Sequence, residues 1–188
     1  MRVTIIAVLA FVAGPALAQD LNYNYIEGYY QRLDVDDSAG DIDGDGFGIA
    51  GSLEVGESFH IFSSFGRANL DFDIDLDEVV IGGGYHTPVA PGMDLVINLS
   101  YISVDAEAFG LSGDDDGFGA SFGLRSMWGE KLELAGFVDY IDLDESGDDT
   151  SFRGEAWYNL TRAFALGAQV GVGDDVTSWG LGARVYFD

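Results

Sequence analysis

The chain of 188 residues contains no cysteine. Disulfides, thiolate metal sites and a cysteine nucleophile are therefore excluded together. Basic residues are nearly as scarce. Lys and Arg number 8 against 33 Asp and Glu, a formal net charge of -25. Such a chain repels phosphate backbones, so no nucleic acid is expected as a partner. It also has no polybasic patch with which to hold anionic lipid. Proline occurs only 3 times, too rarely to punctuate a loop-rich fold. Beyond the first 18 residues, no apolar run reaches the length of a membrane-spanning helix without polar interruption.

Those first residues read as an export signal. Arg2 precedes an apolar core over 3–13, Gly14 and Pro15 break it, and Ala16-Leu17-Ala18 supplies small residues at a cleavage site. The expectation is a cleaved segment 1–18 and one exported domain over 19–188. A secreted chain without disulfides needs another source of stability. A closed barrel in a bilayer provides one, because it leaves no strand edge unpaired.

What is abundant is alternation. In 93–104, Leu95, Ile97, Leu99 and Tyr101 share one face, and Asp94, Val96, Asn98 and Ser100 the other. A strand sends successive side chains to opposite faces, so this segment has one apolar and one mostly polar side. The pattern recurs in 117–126, 132–141, 152–160, 164–172 and the last segment up to Phe187. It is less clean in 47–55 and 78–86. The first segment, 21–33, is aromatic on both faces, and Glu27 argues that Tyr25, Glu27 and Tyr29 turn inward. The segment 58–70 is ambiguous, because His60 and Arg67 fall on opposite faces.

These make ten strands, the even number expected of a bacterial single-chain barrel, with eight as the alternative count. Short connections (56–58, 86–92, 128–130, 161–162) alternate with longer acidic ones (34–45, 71–77, 105–116, 142–149, 173–176). Pro88 and Pro91 fall in one short turn, outside every strand. The fold class expected is all-β: a transmembrane antiparallel up-and-down β-barrel with long acidic loops outside. A soluble lipocalin-type barrel would turn its apolar face inward. Against it stand polar faces carrying Gly, Ser, Asn and charges of both signs, aromatics near strand ends, and a final amphipathic strand.

At this point the residues resemble a known group. L-N-Y-N-Y-I-E-G-Y-Y (21–30), D-G-D-G-F-G-I-A-G-S (43–52) and S-F-H-I-F (58–62) are similar to segments of small, poorly characterised porin-like outer-membrane β-barrel proteins of proteobacteria. The last strand resembles their barrel-assembly signal, with Asp188 following Phe187. The resemblance implies an outer-membrane location, contact with lipid and lipopolysaccharide, and biogenesis through the barrel-assembly machinery. It leaves the oligomeric state open.

Two sets of residues are candidates for chemistry. Asp41-Ile42-Asp43-Gly44-Asp45-Gly46 matches the start of a calcium loop, placing hard oxygen ligands on Asp41, Asp43 and Asp45. The bidentate Glu of the twelfth position is replaced by Ser52, and a solvated hairpin tip accounts for the same residues. Divalent cations bridging to lipopolysaccharide phosphates are a further expectation. The second set faces the lumen: Glu27, Glu78, Arg125, Glu133, Asp139, Arg153, Glu155 and Arg184, with Glu54 beside them. Charges of both signs facing each other predict ion pairs inside a narrow or plugged barrel. No nucleophile motif accompanies the two His, so no enzyme is expected. The sequence points to a structural or narrow, cation-preferring porin-like role. The alternative is a surface protein binding divalent cations or envelope ligands through acidic loops.

Overall fold

A computed structural model describes residues 21–37, 40–72 and 74–188. The expected signal segment 1–18 lies outside them. Ten strands follow one another: β1 (Tyr25–Asp37), β2 (Gly40–Glu54), β3 (Phe59–Leu70), β4 (Ile74–Ala90), β5 (Met93–Ala108), β6 (Leu111–Trp128), β7 (Leu132–Leu143), β8 (Gly147–Asn159), β9 (Phe164–Val172) and β10 (Val176–Tyr186). Each pairs antiparallel with its neighbour in sequence, and β1 pairs with β10 to close the barrel. The closing ladder runs from Tyr25 opposite Tyr186 to Val35 opposite Val176.

The outward face through the middle of the wall is apolar. Ile49, Leu53, Ile61, Ile81, Leu99, Phe122, Leu166 and Leu181 are all exposed there. A ring of aromatics closes this belt at the end away from the termini: Tyr30, Phe47, Tyr101, Phe118, Tyr140, Phe152 and Trp179. Exposed apolar surface on every strand with an aromatic girdle is the exterior that a bilayer requires of a barrel. It excludes the lipocalin arrangement, whose apolar side lies within.

Above that girdle the polarity of the wall inverts. Outward positions become Asp34, Asp43, Asp45, Asp75, Asp105, Glu107, Asp114, Asp142 and Asp148, all exposed. Inward positions become Leu33, Val35, Ile42, Leu70, Ile74, Leu76 and Val104, all half-buried. There the barrel has left the lipid and behaves as a water-soluble sheet. Arg67 belongs to this zone: it faces outward and forms an ion pair with Asp77, the residue opposite it on β4. The Ser146 hydroxyl, with the backbone N–H groups of Glu145 and Ser146, holds the Asp115 carboxyl below the ordinary carboxylate range.

Three expectations need correcting. Four of the five long acidic connections (34–45, 71–77, 105–116 and 142–149) are mostly strand extensions; 173–176 stays a connection up to residue 175, and at that end successive strands are separated by at most three residues. Alternation hid this, because the pattern continues past the girdle with its two faces exchanged. Pro88 is not in a turn; it lies in β4 opposite Asp94, and the register shifts between Pro88 and Ala90. A residue without an N–H is tolerated at such a bulge. The first strand begins at Tyr25, not at residue 21.

Inside, glycines lie under large rings. A Cβ on Gly48 would fall 2.3 Å from the Tyr29 ring, one on Gly82 2.4 Å from Phe62, and one on Gly167 2.3 Å from Trp157. Small residues against large ones fill a narrow barrel. Gly167→Leu is expected to destabilise the refolded protein by about 1–3 kcal/mol, read as a lower urea midpoint in detergent. An unchanged midpoint would mean that the ring does not rest on the β9 backbone.

Candidate functional site: the charged lumen

Every lumen residue named from the sequence sits on the inward face, and the barrel gathers most of them into one network. Glu27 and Arg184 are partners across the closing β1–β10 ladder, joined at 2.6 Å. Arg184 also reaches Glu133 at 3.3 Å and Glu155 at 3.5 Å. Arg125 pairs with Glu133 at 2.8 Å. Arg153 pairs with Asp139 at 2.9 Å and also with Glu155. Four carboxylates and three guanidiniums thus tie β1, β6, β7, β8 and β10 together across the lumen. Arg184 and Glu133 are each 2% exposed.

Charges so far removed from water need every donor and acceptor occupied. Aromatic side chains complete the set. The Tyr186 hydroxyl donates to Glu133 at 3.0 Å, and Trp157 Nε1 donates to Glu155 at 3.0 Å. The Arg184 guanidinium lies 4.0 Å from the Trp157 ring and 4.1 Å from the Tyr25 ring; Arg153 lies 4.4 Å from Phe137. Stacking on rings stabilises a guanidinium that has lost its water.

Alternation along the sequence does not reveal the residue that closes this end. Residues 21–24 precede the β1 ladder, and Tyr23 crosses to the opposite wall, where it is 2% exposed. Its hydroxyl donates to Asp94 at 3.0 Å. Its ring stacks on His86 at 3.8 Å, with His60 at 5.0 Å and the Arg125 guanidinium at 4.3 Å. Val96, Ala135 and Phe137 pack around it. The segment is pinned on both sides: Arg125 donates to the Asn22 carbonyl at 3.2 Å, and the Phe187 N–H donates to the Asn24 carbonyl at 3.1 Å. Asparagines flanking a tyrosine just before the first strand were the available signal; a strand template absorbed them.

Among the described residues, two spaces border this network. A smaller one of about 170 Å³ lies between Tyr23 and the arginines. A larger one of about 350 Å³ opens toward the hairpin end, lined by Tyr29, Gln31, Ser64, Glu78, Asn98, Ser121 and Gln169 among others. Glu27, Arg153 and Glu155 border both. Glu78 lines the larger space and stays outside the ion-pair network. Glu54, at the terminal end of β2, is exposed.

The candidate calcium residues lie elsewhere. Asp43 and Asp45 belong to β2 and face outward, opposite Asp34 and Arg32 of β1. Asp41 is also in β2, opposite Asp36; its side chain lies outside the described residues. An extended strand sets alternate residues about 7 Å apart instead of wrapping them around one ion. Among the described residues, no group of three or more His, Asp or Glu is disposed to hold a metal ion.

No protein-family model matches the chain, and no curated protein matches it significantly. Solved structures do. An outer membrane channel from Pseudomonas putida aligns over 94% of this chain and all of its own length (100%), with 12% identity and a TM-score of 0.53. The translocator domain of the autotransporter NalP from Neisseria meningitidis aligns over 89% of each chain, with 10% identity and a TM-score of 0.53. The beta domain of the Bordetella autotransporter Brka aligns over 87% of this chain and 98% of its own, with 11% identity and a TM-score of 0.51. At such identities the likeness is one of fold: the chain is an outer-membrane-type β-barrel.

Removing one partner of a buried pair strands the other charge. Glu133→Leu should therefore lower stability by about 3–5 kcal/mol, while Arg125→Met combined with Glu133→Leu should lose less than the two single changes summed. Additive urea midpoints for the pair would show that the two side chains are not coupled.

Proposed function

We propose that the protein is an outer-membrane barrel that acts as a narrow, cation-preferring channel, with a vestibule at its hairpin end and a plug at the end carrying both termini. The observation that carries this reading is the lumen. Its middle is lined by hydroxyl, amide and carboxylate side chains, and six carboxylates (Glu27, Glu78, Asp94, Glu133, Asp139 and Glu155) stand against the three guanidiniums of Arg125, Arg153 and Arg184. A surplus of negative charge in a confined, low-dielectric passage favours cations. Rows of outward carboxylates on the hairpin extensions add a field of the same sign at the mouth. With the strand extensions beyond the aromatic girdle taken as the external side, the vestibule opens to the exterior.

The plug makes the resting lumen tight. Tyr23 and the Arg125–Glu133–Arg184 group fill the terminal end, so passage requires Tyr23 to move. A role without catalysis fits the two histidines, which pack on the Tyr23 ring. A second reading rests on the hairpin exterior. Outward Asp75, Asp105, Glu107 and Asp114 meet lipopolysaccharide at its phosphate level, where like charges repel unless divalent cations lie between them. On that reading the hairpins are an envelope-contact surface.

Purified protein in planar bilayers should give small steps whose reversal potential in a KCl gradient has the cation sign. Tyr23→Ala should raise the step size several-fold, while Tyr23→Phe, which keeps the ring, should stay near wild type. Anion-selective steps, or silence from both wild type and Tyr23→Ala, would remove the channel. Cell fractionation should recover the protein with the outer membrane in a form that needs detergent; a soluble periplasmic pool would overturn the location.

A further inference from the structure

The plug leaves one lumen carboxylate unused. Glu78 faces inward from β4, between Gly66 of β3 and Val104 of β5 in the ladder, and it is exposed to the larger lumen space. Among the described residues it forms no ion pair. The nearby Asp139, Glu155 and Glu27 differ, since Arg153 and Arg184 neutralise them.

The surface beside Glu78 is shaped by missing side chains. Gly48 and Gly66 project nothing into the lumen, and Tyr29 from β1 lies across both. A Cβ on Gly66 would sit 3.6 Å from the Tyr29 hydroxyl, as one on Gly48 would sit 2.3 Å from its ring. The phenol therefore spans β2 and ends at the ladder position directly opposite Glu78. Among the described residues its hydroxyl has no protein partner. Phe62 lines the same space of about 350 Å³, with its ring over Gly82, two positions beyond Val80 on the strand that carries Glu78.

A carboxylate without a cation, set beside an aromatic ring in a small, partly apolar cavity, is the chemistry that recognises an alkylated ammonium ion. The carboxylate supplies charge. The ring supplies quadrupole attraction and a surface for methyl or methylene groups, which a hydrated Na⁺ or K⁺ cannot use. We propose that Glu78, with Tyr29, forms a binding subsite for small organic ammonium ions on the way into the lumen. The proposal rests on the reading of the lumen as a cation-preferring path and names the class of cation that path selects.

The probe is choline, with its uncharged isostere 3,3-dimethylbutanol as the control, titrated calorimetrically into the full refolded protein in detergent. Wild type should bind choline saturably, and the alcohol should give no saturable heat. Glu78→Gln and Tyr29→Leu should each weaken choline binding about tenfold, with Tyr29→Phe close to wild type. Circular dichroism and resistance to SDS establish that each variant is folded. No saturable heat from wild type, or equal binding by folded Glu78→Gln, overturns the subsite; equal binding would assign the heat to the acidic hairpins. The two proposals separate cleanly. Cation-selective conductance without choline binding leaves the channel and removes the subsite. Choline binding lost in Glu78→Gln, in a protein that conducts nothing, leaves the subsite and removes the channel.

Discussion

The pairing of β1 with β10 is the constraint on which the rest of the molecule depends. In hydrocarbon, a strand edge has no water to satisfy its N–H and C=O groups, so an open sheet of these ten strands could not span a bilayer. Closure removes the edge. Glu27 and Arg184 face each other across that seam and meet at 2.6 Å inside the barrel. The backbone ladder and the lumen network are thus joined at the same place, and the first and last strands are held together by both.

From closure follows the division of the wall into three zones. Through the lipid, the outward face must be apolar, and polar groups are tolerated only inside. The lumen is narrow, so those inner polar groups are desolvated unless they satisfy one another, which is why the arginines are each surrounded by carboxylates and rings. Above the aromatic girdle the outside is water again. The same alternating backbone then turns carboxylates outward and Leu, Ile and Val inward. One strand such as β4 passes through both regimes: Ile81 faces lipid while Gly82 faces the lumen, and eight residues away Ile74 faces inward while Asp75 faces water.

The lumen is asymmetric along its axis, and this bears most on function. At the terminal end, Tyr23 and the arginine network leave only a small space. At the hairpin end, Gly48, Gly66 and Gly82 let rings lie flat against the wall and keep a larger space open. The lumen is thus tight beside Tyr23 and roomier toward the hairpins.

Much of this was legible in the sequence. The strand count, the facing of each clean segment and all eight lumen charges follow from a period of two, because a strand has only two faces and a buried charge must take the inner one. The wall above the girdle was not legible as strand. Asp- and Gly-rich stretches such as 40–46 carry the composition of loops, and only pairing with neighbours such as 31–37 makes them extended. The orientation of 58–70 was undecided for a related reason: His60 lies in the lumen zone and Arg67 above the lipid, so both faces admit a polar residue. Which charges meet could not be read either. Glu27 and Arg184 are far apart in the chain and become partners only when the barrel closes, and Tyr23 becomes a plug only because closure places β5, β6 and β7 across from it. Alternation in the sequence determined which side of the wall each residue occupies; the tertiary structure alone decided what each inward residue touches, since contacts across a lumen depend on the circumference and stagger of the closed sheet and not on the pattern along any one strand.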